Sequence, residues 1–108
     1  MPISQHILRV YETGPTTVVG FGDGELPDDI DIAELRDDII EMLRQHSATR
    51  IAFDLTGTEF VPSVILGLLA SLRKAGFDVL LCNPSVNVRT VLEVTRLDRL
   101  FEVQNAGI

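Results

Sequence analysis

Apolar and polar side chains mix loosely over Gln5–Val10, which predicts a first strand. Gly14-Pro15 punctuates a turn, and the β-branched run Thr16–Val19 predicts a second strand hairpinned to the first. Gly20–Pro27, with three glycines, one proline and several acids, reads as a loop. The period then changes. Ile32, Leu35, Ile39, Met42 and Leu43 fall at steps of three and four, one apolar stripe of an amphipathic helix. Asp31 with Glu34 three residues on has the form of a capping box. Acids gather at the start of this helix and Arg44 near its end, as the helix dipole favours, and Ser47–Thr49 closes it.

Ile51–Leu55 is a short apolar run, the mark of a strand buried on both faces, and Thr56–Glu59 turns the chain. Pro62 and Ser63 open a second helix that runs to Ala75 and stops at Gly76. Val64, Ile65, Leu66, Leu68 and Leu69 make its first half apolar nearly all round, so deep packing is expected there. Gly67 lowers helix propensity, and the expected compensation is close approach to a neighbouring backbone. Val79–Cys82 reads as another buried strand, ended by Asn83-Pro84. Ser85 or Asn87 can cap a third helix with Val88, Val91, Leu92 and Thr95 on one face. Leu97, Leu100 and Phe101 close the chain as an apolar cluster, with a short last strand through Val103. The order β-β-α-β-α-β-α predicts one α/β domain over residues 1–108. Its mostly parallel sheet has four to five strands, with an N-terminal hairpin and three to four helices.

Composition narrows the function classes. A length of 108 residues with 45% hydrophobic content and a mean hydropathy of +0.24 allows one well-filled core. No apolar run approaches the roughly 20 residues of a membrane-spanning helix, and the N-terminus lacks a basic leader with an apolar block, so a cytoplasmic protein is expected. Nine acids against Arg36 lie between Asp23 and Glu41; that segment carries −8, and the remainder of the chain sums to +1 against a net charge of −7. A field of this sign disfavours nucleic acid and anionic lipid. An acidic solvated face is the plainer reading, and steering of a basic partner the sharper one.

Catalytic chemistry finds little footing. Gly20, Gly22 and Gly24 lie between a strand and a helix, but Glu25 stands where a dinucleotide fingerprint wants its third glycine, and Asp23 and Glu25 repel phosphate. His6 and His46 stand apart and read as surface or edge histidines. The single cysteine, Cys82, reads as a small core residue. Neither an enzyme nor a cofactor is expected, and no metal cluster is indicated. Ser63 is different, because it stands where a helix start gathers unsatisfied N–H groups and the positive end of the dipole. A cap is the plain reading of its hydroxyl; phosphorylation is the other, since the same groups accommodate a phosphate.

Asp54–Leu69, DLTGTEFVPSVILGLL, resembles the central signature of STAS domains, roughly D-L-S-x-V-x-F-[ILM]-D-S-[ST]-G-L-G-x-L. Asn83–Val103, NPSVNVRTVLEVTRLDRLFEV, resembles the family's third helix and C-terminal strand, and the element order agrees over nearly the whole chain. The resemblance implies a STAS-like fold and a protein-binding regulator of the anti-sigma factor antagonist type. Its implied partner is an anti-sigma factor (a GHKL-type serine kinase) or another STAS protein. The family's switch serine falls on Ser63, with Asp54, Leu66 and Gly67 also matching. Pro62 replaces an aspartate, Val64 a serine or threonine, and Ile65 a glycine, so the serine is kept in an altered setting. Asp54, Pro62, Val64, Ile65, Leu66 and Gly67 are therefore the partner-contact candidates. Whether the module works with or without a phosphoserine switch stays open. A ligand-binding or transport-associated STAS protein is the alternative, with a pocket expected near Arg89 or Arg96.

Overall fold

The computed structural model describes residues 8–21 and 30–105. Strand β1 (Arg9–Glu12) forms an antiparallel hairpin with β2 (Thr16–Gly20). Helix α1 (Ile32–Gln45) leads to β3 (Arg50–Asp54), α2 (Ser63–Lys74) to β4 (Asp78–Cys82), and α3 (Val86–Thr95) through a 3₁₀ turn at Leu97–Arg99 to β5 (Glu102–Gln104). The five strands lie in chain order, with β2 to β5 mutually parallel. Successive right-handed crossovers that advance in one direction leave all three helices on the same face.

The pleat sorts the side chains accordingly. Val19, Phe53 and Leu81 stand in register with Val103 and share one cluster with Leu35, Ile39 and Leu43 of α1 and Leu68, Leu69 and Leu72 of α2. Phe53 is fully buried and stacks on Phe21, ring centroids 6.0 Å apart. Ala52 and Leu80, on the alternate pleat, are also buried but lie outside that cluster. Thr17 is the buried polar residue among those described, and its hydroxyl donates to the Gly14 carbonyl at 3.1 Å.

The described part of the first strand sits later than the sequence suggests, at Arg9–Glu12; residues 1–7 lie outside the described residues. A register irregularity between Val10 and Glu12 accompanies this. It brings the Tyr11 ring over Gly20, where an added Cβ would meet Tyr11 Cε2 at 2.7 Å and the Asp54 carbonyl oxygen at 3.0 Å. Gly20 is therefore the close end of β2 and not the first residue of a loop. Gly22 and Gly24 lie outside the described residues, as does His6.

Helix α1 starts as its sequence dictates, the Asp31 side chain accepting the Glu34 N–H at 3.0 Å. Ile40 joins the predicted stripe, while Met42 and Ile32 pack at its margin. Helix α3 is less buried than its apolar spacing implies. Val88 and Leu92 enter the core, whereas Val91 and Thr95 are exposed. Leu100 is exposed as well, and of the closing trio only Phe101 is buried. A helix ten residues long, docked at one margin of the sheet, needs only a narrow contact stripe.

Candidate functional site

The loop between β3 and α2 lies at the C-terminal edge of the parallel strands, where open α/β sheets gather their variable loops. Asp54 ends β3 half-buried, and its Oδ1 accepts the Thr56 N–H at 3.0 Å, closing an Asx turn. The neighbouring loop between β4 and α3 braces this one at two points. Asn83 Nδ2 donates to Thr56 Oγ1 at 3.0 Å, and Ser85 Oγ donates to the Glu59 carbonyl at 2.6 Å. The same Ser85 oxygen accepts the Val88 N–H at 3.1 Å. One hydroxyl thus caps α3 and ties down the approach to α2.

Helix α2 begins differently from the expectation of a serine cap. Pro62, at φ −58° and ψ 147°, is the N-cap, and no side chain caps the helix. Its carbonyl accepts the N–H groups of Ile65 at 2.9 Å and Leu66 at 3.3 Å. A side-chain cap must come from the residue before the first helical one. Here that residue is proline, with φ already preset and no hydroxyl. Ser63 is the first helical residue instead, exposed, with no acid in the turn around it.

The helical period splits the remaining candidates into two faces. Ile65 and Leu66 are buried, Ile65 completely, beside Leu68, Leu69 and Leu72. Pro62, Ser63, Val64 and Gly67 face solvent. Val64 is 53% exposed, which corrects the expectation of deep packing for the whole early helix. Positions 64 and 67 stand three apart, on the side turned away from the sheet. Gly67 also lacks the expected close neighbour: a Cβ built there would meet nothing within 4 Å.

Beside Ser63 lies a groove that the periodicity alone did not reveal. Phe60, Val61, Leu66, Val88 and Val91 line a space of about 260 Å³ between the loop and α3. Phe60 is 67% exposed, and Val86 and Val94 of α3 are exposed too. The available signal was Phe60 itself, a large aromatic just after the polar turn Thr56–Glu59. Ser85 and Asn83 tie the loop to the start of α3 beside this groove, through bonds spanning 26 and 27 residues of sequence.

Cys82 lies across the ladder from Asp54 and is half-buried. Burial pushes its thiol pKa up, the Asp54 charge adds to this, and Arg50 opposes it. The thiol is therefore held in its protonated, weakly nucleophilic form. No group of three or more His, Cys, Asp or Glu able to hold a metal occurs among the described residues. His46 is exposed at the C-cap of α1. Arg89 is bonded to Asn105, and Arg96 occupies a left-handed turn position after α3. Neither arginine lines the groove beside Ser63.

A family model described as the STAS domain matches residues 23–106. Among solved structures, the chain is similar to the anti-sigma factor antagonist SpoIIAA in its unphosphorylated form. That match has TM-score 0.71 and 23% identity, and covers 93% of this chain and 90% of that one. It is also similar to a candidate anti-sigma factor antagonist from Thermotoga maritima, with TM-score 0.69 and 19% identity, over 94% of this chain and 89% of that one. No curated protein matches the sequence.

Proposed function

The chain belongs to the STAS domain family, and from that premise we propose that it is a protein-binding regulator acting as an anti-sigma factor antagonist. Its partner on this reading is an anti-sigma factor, of the GHKL-type serine kinase class, or another STAS protein. The observation that carries the proposal is the exposed start of α2, with Pro62, Ser63, Val64 and Gly67 at the surface beside the apolar groove of Phe60 and Val91. Interfaces draw most of their affinity from a few apolar or aromatic anchors set among neutral contacts. Phe60 and Val64 have that character. Ile65 and Leu66 support the surface from within, by fixing the helix that presents it.

Ser63 gives the proposal a possible control. A phosphate there would add a charge of about −2 to the contact surface. It would also stand beside the uncapped N–H groups and positive dipole end of α2, where an anion is stabilised. Modification would then order the helix start while repelling an apolar or acidic partner surface. The module without the switch binds through the same surface and is indifferent to Ser63. On the alternative reading a small-molecule site would lie at Arg89 and Arg96; Arg89 is engaged with Asn105, and neither arginine borders the groove of Phe60 and Val91.

Titration calorimetry against the anti-sigma factors and STAS proteins of the source cell tests the reading. A complex is expected, weakened at least about tenfold, or 1.4 kcal/mol, by Phe60→Ala or Val64→Asp. Absence of binding to every such protein would overturn it. Ser63→Asp abolishing the complex while Ser63→Ala preserves it establishes the switch; equal affinities for both variants remove it.

A further inference from the structure

A second groove, polar in its lining, lies at the opposite edge of the sheet from Ser63. Arg50, Asp78 and Glu102 open β3, β4 and β5, so all three stand at the N-terminal ends of parallel strands. Arg73 reaches the same place from the last turn of α2, and Arg99 from the 3₁₀ turn. Together with Leu100 they line an open groove of about 490 Å³. Arg50 is ion-paired with Glu102. The other ion pair among the described residues, Arg36 with Asp37, is on α1. Among the described residues Arg73 and Arg99 have no ion pair or side-chain hydrogen bond, and Asp78 is the one further carboxylate lining the groove with them. In a chain of net charge −7, this edge is locally positive.

We propose that this groove receives an acidic segment of a partner protein, with carboxylates on Arg73 and Arg99 and an apolar side chain against Leu100. Guanidinium pairs carboxylates in a two-point fork, so each free arginine can take one. Leu100 is 43% exposed beside them and supplies the apolar footing that a bare anion does not use. A compact polyanion fits less well. Arg73 and Arg99 belong to separate elements, Asp78 lies between β-strand and helix ends, and the C-terminal carbonyls of α2 contribute negative potential. Carboxylates spaced along a segment avoid that concentration of charge. This site is independent of the Ser63 surface, and both can be occupied together.

The test is an NMR titration of the ¹⁵N-labelled chain with a glutamate-rich amphipathic peptide carrying one leucine per turn. Its lysine counterpart and inorganic phosphate are run in parallel. Shifts are expected at Asp78, Arg99, Leu100 and Phe101, fading as salt rises from about 50 to 300 mM. Arg73→Glu with Arg99→Glu should weaken the peptide at least tenfold, and Leu100→Ser should weaken it with both arginines intact. Ser63→Asp should leave it unchanged. Should the charge-reversed chain fail to fold, Arg73→Gln with Arg99→Gln makes the same comparison. No shifts at about 1 mM peptide, equal shifts with the lysine peptide, shifts from phosphate as strong as from the peptide, or indifference to the arginine variants would each overturn the proposal.

Discussion

Two serines at helix starts, Ser63 and Ser85, differ in the roles they take. Ser63 stands inside its helix and caps nothing, whereas Ser85 caps α3 and bonds the Glu59 carbonyl. Ser63→Ala should therefore change stability by no more than about 0.5 kcal/mol. Ser85→Ala should lower it by about 1 to 2 kcal/mol, the loss of a cap together with a loop hydrogen bond. Urea denaturation of both variants checks the contrast. Cys82 supports a prediction about pH. Its folded thiol keeps its proton above the ordinary value of 9.0, because of burial first and the Asp54 charge second. Above that value the unfolded chain loses the proton first, so the folded state binds more protons and stability falls as pH rises. Cys82→Ser should flatten the alkaline limb of a stability–pH profile, and thiol alkylation near pH 8 should run faster in urea than in buffer.

At the scale of elements, α2 and its exit hold two glycines with opposite demands. Gly67 is in the helix interior, exposed, with open space around its missing Cβ, and Gly76 follows the helix at φ 106°. Alanine at 67 relieves a propensity penalty without a clash and should stabilise by about 0.5 to 1 kcal/mol. Alanine at 76 must enter the left-handed region and should destabilise by about 1 kcal/mol or more. Thermal melts of the two variants should move in opposite directions. Because Gly67 borders the proposed contact surface, its alanine variant also separates binding from stability. A more stable chain with weaker partner affinity would mark position 67 as a contact.

At the scale of the molecule, the sheet and helices share one principal cluster centred on Phe53, Leu69 and Leu81. Phe53→Ala removes a fully buried ring and its stacking on Phe21, and should cost about 3 to 5 kcal/mol. For a domain whose whole stability is of order 5 to 15 kcal/mol, that loss should bring the denaturation midpoint close to working conditions, as calorimetry can record. The two ends of the sheet differ in character. The Ser63 end offers apolar anchors, and the arginine end offers charge, so salt should weaken contacts at the second far more than at the first.

Much of the architecture could be read from the chain because the local signals agreed with one another. The apolar stripe of α1, its Asp31 cap, the β-branched second strand and the stop at Gly76 each depend on near neighbours in sequence. Resemblance at Asp54–Leu69 and Asn83–Val103 then pointed to the family, and the match over residues 23–106 agrees. What periodicity could not supply was the outcome of competition for burial. Val64 and Ile65 are both β-branched and adjacent, yet the sheet covers one and leaves the other in solvent, because only one side of a helix can face it. The same limit exposes Val91 on α3. Ser63 stands out in the sequence as a cap or phosphorylation candidate at a helix start. Its loss of the cap to Pro62, the groove beside it and the brace from Ser85 were decided by tertiary structure, through contacts between residues far apart in the chain.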